Sequence, residues 1–396
     1  MLRVLYISKY IWPNISAAAV VTNELARGLA ARGHNVTVLV PASAFDYMTA
    51  RSGAPPVLPS GSAICCWGPR LSRFPANTLS YLILLFKSIP LGFRSHVILG
   101  HYHHSNLSGA CAAITSMISR RPLVIRADDI LTESRGVIAK WLALMFRLIT
   151  LWSFRRAKLV LVTGDELVEP VRERYALNEG KVMVSYNGVD TEKFNPRNRS
   201  EQLRRRIGSE HIIVFSGELF APRGVDVLLH ALASLKMDIP DIKAVIMGDG
   251  PDLNRLITLA NSLRLDGSVK FLGAVNPLFV PQYLASADVA IGPLKAFLHT
   301  YGTTPLKVLE YMASGCTVVA GIGAASGNLI IDEVSCLCIR SGDAVDLARQ
   351  VLRLLSDKEL ARRVRERARQ TAETTYDWRI VASDLEKRLM DETSRH

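Results

Sequence analysis

The sequence has no uninterrupted apolar run of about 20 residues, so no transmembrane helix is expected. Its opening, MLRVLYISKYIWP, has too short an apolar stretch for a signal peptide and is expected to form a first β-strand. Cysteine is scarce: 6 in 396 residues. Cys65 and Cys66 are adjacent, and Cys336 and Cys338 are one residue apart; neither spacing fits a zinc knuckle, and no Cys/His quartet is in range. That argues against a disulfide scaffold or a structural zinc site and predicts reduced thiols. No short-period repeat or low-complexity tract is visible, which excludes solenoids and disordered polar arrays. Acidic residues are few in the first part of the chain: residues 1–160 hold 18 Lys and Arg against 5 Asp and Glu.

What is present points to a large folded protein. With 49% hydrophobic residues, the chain can build its own cores, and its length predicts two domains at about 150 residues each. The net charge is +12, while residues 161–396 hold 30 basic against 31 acidic residues. All excess positive charge therefore belongs to the first part. An anionic partner for that part is one reading: a membrane surface, nucleic acid or a phosphorylated substrate. A basic surface without a partner is the other.

Alternating β and α patterns run along the chain. RVLYIS (3–8), VTVLVP (36–41), HVILGH (96–101), PLVIRA (122–127), AKLVLVTG (157–164) and KVMVSY (181–186) read as strands. Helical periodicity covers 18–32 and 106–119 and follows the strand at 157–164. The polar segment NPRNRS (195–200) reads as a linker. The alternation then restarts with HIIVFSG (211–217), IKAVIMGDG (242–250), VKFLG (269–273), DVAIGP (288–293) and CTVVAG (316–321), with helices between them. Charged helices are expected over 343–355 and 357–374, and a final one from Trp378. This predicts an α/β protein of two doubly wound domains facing a cleft.

Three stretches can carry chemistry. Gly248-Asp249-Gly250-Pro251 is a Gly-rich turn between a strand and a helix, more often structural than functional. In SGELFAPRGVDVLLHA (216–231), Arg223 follows a strand and precedes a helix, where open α/β sheets bind ligands. A guanidinium beside helix N-terminal amides suits a diphosphate; a solvated loop arginine is the alternative. In YGTTPLKVLEYMASGCTVVA (301–320), Gly302, Thr303 and Thr304 precede Pro305, and their amides at a helix N-terminus can hold a phosphate oxygen. Glu310, further into that helix, can accept hydrogen bonds from a ribose diol or be an ordinary helix glutamate.

Taken together, LARGLAARGHNVTVLVP, AKLVLVTG, NGVDTEKFNP (187–196), GELFAPRGVDVLLHA, IMGDGP, VKFLGAV and PLKVLEYMASGCTVVA stand in the order of a known family. The chain resembles the retaining glycosyltransferases of the GT-B fold, family 4, over nearly its whole length. The resemblance implies an acceptor-binding Rossmann-like domain over 1–194 and a nucleotide-sugar-binding one over 201–376. A helix over 377–396 returns to the first domain. It implies that Arg223 binds the donor diphosphate, that Glu310 holds the nucleotide ribose, and that Thr303, Thr304 and Leu306 offer phosphate-binding amides, Pro305 having no N–H. Gly273 and Val275 would hold the base through their backbone. Three positions depart from the family pattern. Gly302 stands where the first glutamate of the E-x7-E motif contacts the transferred sugar. Glu218 stands where an arginine is often found. Ser16 and Ala17, with Ala18, replace the Gly-Gly donor loop.

On the acceptor side, GHYHHSN (100–106) ends a strand and points to His103; a structural histidine is the alternative. IRADDI (125–130) ends another, and Arg126, Asp128 and Asp129 are expected to face the cleft, in a substrate role or as a structural ion pair. The implied chemistry is front-side displacement, with Arg223 stabilising the leaving diphosphate and no metal or other cofactor required. LSYLILLFKSIPLGFR (79–94) and VIAKWLALMFRLITLWSFRRAK (137–158) mix basic and bulky apolar residues, among them Trp141, Phe146, Trp152 and Phe154. Such helices suit an anionic membrane interface or a core helix with flanking charges. The expectation is a cytoplasmic enzyme, peripheral on the inner face of the plasma membrane. It would move a hexose-type sugar from a nucleotide sugar to a lipid-linked saccharide, and no nucleic acid partner is expected. The rivals are a catalytically silent GT-B protein that binds nucleotide or glycan, and a nucleotide-sugar epimerase.

Overall fold

The computed structural model describes residues 1–11, 16–41, 63–67, 74–103, 107–129, 137–292, 295, 303–322 and 328–394. The chain divides into two compact units, Met1–Tyr186 with Trp378–His396, and Asn187–Asp377. The NGVD segment at 187–190 thus belongs to the second unit. The polar stretch 195–200, read above as a linker, lies inside that unit and carries a single 3-10 turn, Pro196–Asn198.

The first unit holds β1 (Arg3–Ile7), α1 (Ala17–Ala31), β2 (Asn35–Pro41), β3 (Ala63–Trp67), α2 (Phe74–Arg94), β4 (Val97–His103), α3 (Ser108–Ser119), β5 (Leu123–Asp129), α4 (Val137–Arg156), β6 (Leu159–Val162), α5 (Val168–Arg174) and β7 (Val182–Val184). Its seven strands are all parallel, in the order β3-β2-β1-β4-β5-β6-β7. Central strands such as LVLV of β6 are buried throughout, as a parallel sheet covered on both faces requires.

The second unit holds α6 (Glu201–Ile207), β8 (Ile212–Ser216), α7 (Val225–Asp238), β9 (Lys243–Met247), α8 (Leu253–Ser262), β10 (Val269–Gly273), α9 (Val280–Ala285), β11 (Val289–Ile291), α10 (Leu306–Ala313), β12 (Thr317–Gly321), β13 (Leu337–Ile339), α11 (Ala344–Ser356) and α12 (Lys358–Thr374). Its parallel order is β10-β9-β8-β11-β12-β13. In both units the strand order reverses beside the first strand, between β1 and β4 and between β8 and β11. That is where ligands bind in open α/β sheets, outside the carboxyl ends.

The last helix, α13 (Trp378–Ser394), belongs to the first unit and packs on α1. Gly28 permits the approach: a Cβ there would collide with that of Ala382. His34 clamps the pair, its Nε2 bonded to Glu386 at 2.6 Å while its Nδ1 accepts from Leu2 N at 3.0 Å. These contacts give the G and H of the ARGLAARGH stretch structural roles. Two strands went unread in the sequence. β3 contains AICCW, and β13 is only three residues long.

Candidate functional site

In the second unit the switch point collects two segments. The loop after β8 carries Gly217, Glu218 and Arg223; the turn before α10 carries Thr303 and Thr304. Ser216, at the end of β8, is tied to α10 by Tyr311, whose hydroxyl accepts from Ser216 N at 2.8 Å and donates to Ser216 O at 3.1 Å. Arg223 ends a 3-10 turn, Ala221–Arg223, and its guanidinium lies 5.0 Å from the Phe220 ring. Gly224 then adopts φ +77°, a conformation in which a side chain would be strained, and α7 begins. The arginine is thereby held at the start of a helix.

The GDG turn after β9 is a spacer for this loop. A Cβ on Gly248 would overlap the Gly217 carbonyl, and one on Gly250 the Leu219 backbone. Gly217 N donates to Met247 O and Leu219 N to Asp249 O, both at 2.9 Å. Behind α10, the NGVDTEKFNP segment acts as a brace. Asn187 Nδ2 donates to Thr304 O at 2.8 Å, Pro196 fills the space over Gly315, and Arg369 binds the carbonyls of Thr191, Phe194 and Ala313. A motif remote in sequence therefore sets the turn whose amides would meet phosphate.

Pro305 is the N-cap of α10 rather than its first turn, so the free amides begin at Leu306. Glu310 lies in the same helix, and burial pushes its carboxyl up to about 7, against the attraction of Lys193 and Lys307. Lys307 was not singled out in the sequence. Its Nζ is buried, 4.8 Å from the centre of the Phe215 ring. Burial pulls its ammonium down to about 7, and Arg223 repels it further, while Glu310 and Glu218 offset part of this. Gly273 ends β10 with φ +64°, its carbonyl accepting from Gly248 N at 2.8 Å; Val275 follows in the same loop. Gly302 lies outside the described residues.

In the first unit, Ser16 is the N-cap of α1, accepting from Ala19 N, and Ala17 is its first residue. His103 ends β4 opposite Asp129, but the side chains of both lie outside the described residues. The central histidine is His101, two residues earlier. Its Nε2 bonds Asp128 Oδ2 at 2.7 Å, and its Nδ1 lies 3.1 Å from Thr22 Oγ1. Arg126 was expected to face the cleft, in a substrate role or as a structural ion pair with an aspartate, and the pair is what forms. Its side chain is 1% exposed, donating from Nε to Asp128 Oδ1 at 3.0 Å and from Nη1 to Ser185 O and Oγ at 3.0 and 2.9 Å. A buried guanidinium must be paired, and here it is satisfied internally, so Arg126 positions Asp128 and the end of β7. Asp128 keeps partial exposure at the strand end.

The helices α2 and α4 present apolar side chains to solvent. Leu79, Leu82, Phe86 and Phe93 share one stripe of α2; Leu144, Met145, Leu148 and Trp152 lie on α4 with exposed Arg147, Arg155 and Arg156. Phe154 fits the core-helix alternative instead: it is buried against Tyr102 and Tyr175, ring centroids 5.1 and 4.9 Å away. Trp141 and Phe146 lie outside the described side chains. No helix among the described residues is long and apolar enough to cross a membrane.

Two family models match the chain in succession. Glycosyltransferase Family 4 covers residues 18–193 and Glycosyl transferases group 1 covers residues 198–371. This chain belongs to the group 1, family 4 glycosyltransferases. Among curated relatives, the N-acetyl-alpha-D-glucosaminyl L-malate synthase of Bacillus anthracis is 24% identical over 95% of this chain and 94% of its own. The sulfoquinovosyl transferase SQD2 of Arabidopsis thaliana is 28% identical over 58% of this chain and 44% of its own. The chain spans about half the length of several such relatives. Among solved structures, Anabaena HepE, crystallised with UDP, superposes with a TM-score of 0.77 at 19% identity, over 99% of this chain and 100% of the other. That likeness establishes the GT-B fold of this family 4 glycosyltransferase, and the sequence expectation of that fold holds.

Proposed function

We propose that the protein is a retaining hexosyltransferase that takes its sugar from a nucleotide-diphosphate donor. What supports this is that Arg223 and Glu310 both lie near enough to Lys307 of α10 to act on it, at the switch point of the second unit. Arg223 and the positive end of α10 would hold the diphosphate, and Glu310, as a carboxylate, would accept hydrogen bonds from the ribose hydroxyls. Gly273 and Val275 would meet the base, and Thr303 and Thr304 would flank the sugar. Relatives that act on sugars, and a GT-B neighbour solved with UDP-glucose, support the donor class.

In the proposed step the bond between the anomeric carbon and the diphosphate oxygen breaks. The acceptor oxygen bonds to that carbon on the same face, and its proton passes to the departing phosphate. Charge accumulates on the diphosphate, so the fixed cation and amides lower the barrier without reorganising. The reading asks for no resident metal. In the first unit, Asp128, held by Arg126 and His101, with His103 at the adjacent strand end, would serve the acceptor.

The exposed apolar stripes of α2 and α4, flanked by arginines in a unit rich in positive charge, support a second element of the reading. The protein would act at the inner face of the plasma membrane, on a lipid-linked saccharide. Each basic residue near an anionic leaflet contributes about 1 kcal/mol, to which inserted aromatics add. Glu218, a carboxylate where phosphate is expected, is the observation that favours a silent nucleotide-binding protein instead. Incubation with a panel of nucleotide sugars and polyprenyl-linked saccharides, with and without EDTA, separates the readings. An α-configured product from an α-configured donor, unaffected by EDTA, is the expected outcome. Binding without turnover supports the silent protein, and a changed donor without acceptor supports an epimerase.

A further inference from the structure

We infer that Lys307 is a donor-diphosphate ligand, and that it supplies from α10 the cation missing at position 218. The inference rests on the donor reading above and deepens it. The loop after β8 carries Glu218 where the family pattern leads one to expect a second cationic contact. The structure places Lys307 beside this loop. A side chain at position 217 would collide with the Lys307 ammonium, so the lysine occupies the space over Gly217 that the missing side chain leaves. Arg223 and Glu218 are both near enough to act on it electrostatically.

The ammonium of Lys307 is poorly compensated by the residues around it. Its Nζ is buried, has no hydrogen-bond partner among the described residues, and rests against the Phe215 ring at 4.8 Å. A ring face compensates only a fraction of the desolvation of an ammonium, which normally requires an anion or several acceptors. Glu310 lies one turn along the same helix and attracts the ammonium, but it makes no ion pair with Lys307, and its own carboxyl is disfavoured by burial. An anion arriving between Arg223 and the start of α10 would give the Lys307 ammonium the partner it needs and would lie beside the guanidinium and the Leu306 amide. A diphosphate has the charge and the number of oxygens to do so. Gly217 then has a reason beyond its φ of +146°: any side chain there would displace the lysine.

The test is calorimetric titration of the full-length protein with UDP, GDP, ADP and CDP, each beside its phosphate-free nucleoside. The variants are Lys307→Met, Lys307→Arg and the double variant Lys307→Met with Glu218→Arg. For the diphosphate the wild type binds, Lys307→Met should weaken binding 30-fold or more and leave the nucleoside within about threefold, since ribose and base contacts persist. The double variant should recover at least tenfold, because the cation returns to the loop. Lys307→Arg should lie between wild type and Lys307→Met. Equal diphosphate binding by wild type and Lys307→Met overturns this inference alone. Parallel losses for diphosphate and nucleoside overturn it too, by showing a role in shape rather than in phosphate binding. A wild type that binds no nucleotide overturns the donor reading and this inference with it.

Discussion

At the scale of single residues, Lys307 and Glu310 are groups whose burial works against folding. The folded state lowers the Lys307 ammonium from its usual range to about 7, so it holds this proton less tightly than the unfolded chain does. Stability from that group is complete above the unfolded value and is lost as pH falls through 7. Lys307→Met should therefore raise the melting temperature at pH 6 and change it little near pH 10. The expected gain at pH 6 is about 1–3 kcal/mol, part of the linkage being offset by Glu310 losing a cation. Thermal unfolding of both proteins across that range checks this; a destabilised variant at pH 6 would contradict it. A residue that weakens the fold at a proposed ligand site fits the trade-off between stability and function. Arg223 and Glu310 could be chosen as candidates from the sequence because a cation after a strand and a carboxylate in a following helix are recognisable by type and spacing. Lys307 was not, since a lysine in the first turn of a helix reads as solvated until the fold shows what covers it. His101 was not singled out either, and for Arg126 the sequence left a substrate role and a structural ion pair open: alternation along a strand does not tell which end of it lies under neighbouring segments.

At the scale of elements, α10 is the part on which the site depends, and most of its support comes from elsewhere in the chain. Tyr311 ties it to β8, Asn187 holds the turn before it, and Arg369 of α12 binds the carbonyl of Ala313 at its far end. The GDG turn has the same character, its glycines set by contact with the loop after β8. Gly248→Ala should lower stability by about 1–3 kcal/mol from backbone strain at φ +145°, with the clash against Gly217 added. It should weaken nucleotide binding as well, because the displaced loop carries Arg223. Melting and titration of this variant beside Gly267→Ala test the point. Gly267 also has positive φ but an open surrounding, so that variant should lose stability without losing affinity. The element order was readable because buried parallel strands are short apolar runs between amphipathic helices. The edge strands β3 and β13 were missed: one contains paired cysteines, the other is three residues long, and sheet pairing rather than local pattern defines both.

At the scale of the whole molecule, the asymmetry of charge and the exposed stripes of α2 and α4 belong to the same unit. Sedimentation with vesicles containing anionic lipid should pellet the protein at low salt. Phe86→Glu with Trp152→Glu should release it, and neutral vesicles should bind it weakly. Undiminished sedimentation of that variant would remove these helices from the membrane account. The central claim remains that the second unit binds a nucleotide diphosphate through Arg223. Thermal unfolding of the full chain with UDP, GDP, ADP and CDP, on wild type and Arg223→Ala, tests it most directly. One nucleotide should stabilise the wild type by about 2.7 kcal/mol at 100 times its dissociation constant and leave Arg223→Ala almost unmoved. No shift with any of the four, or equal shifts in both proteins, would contradict it.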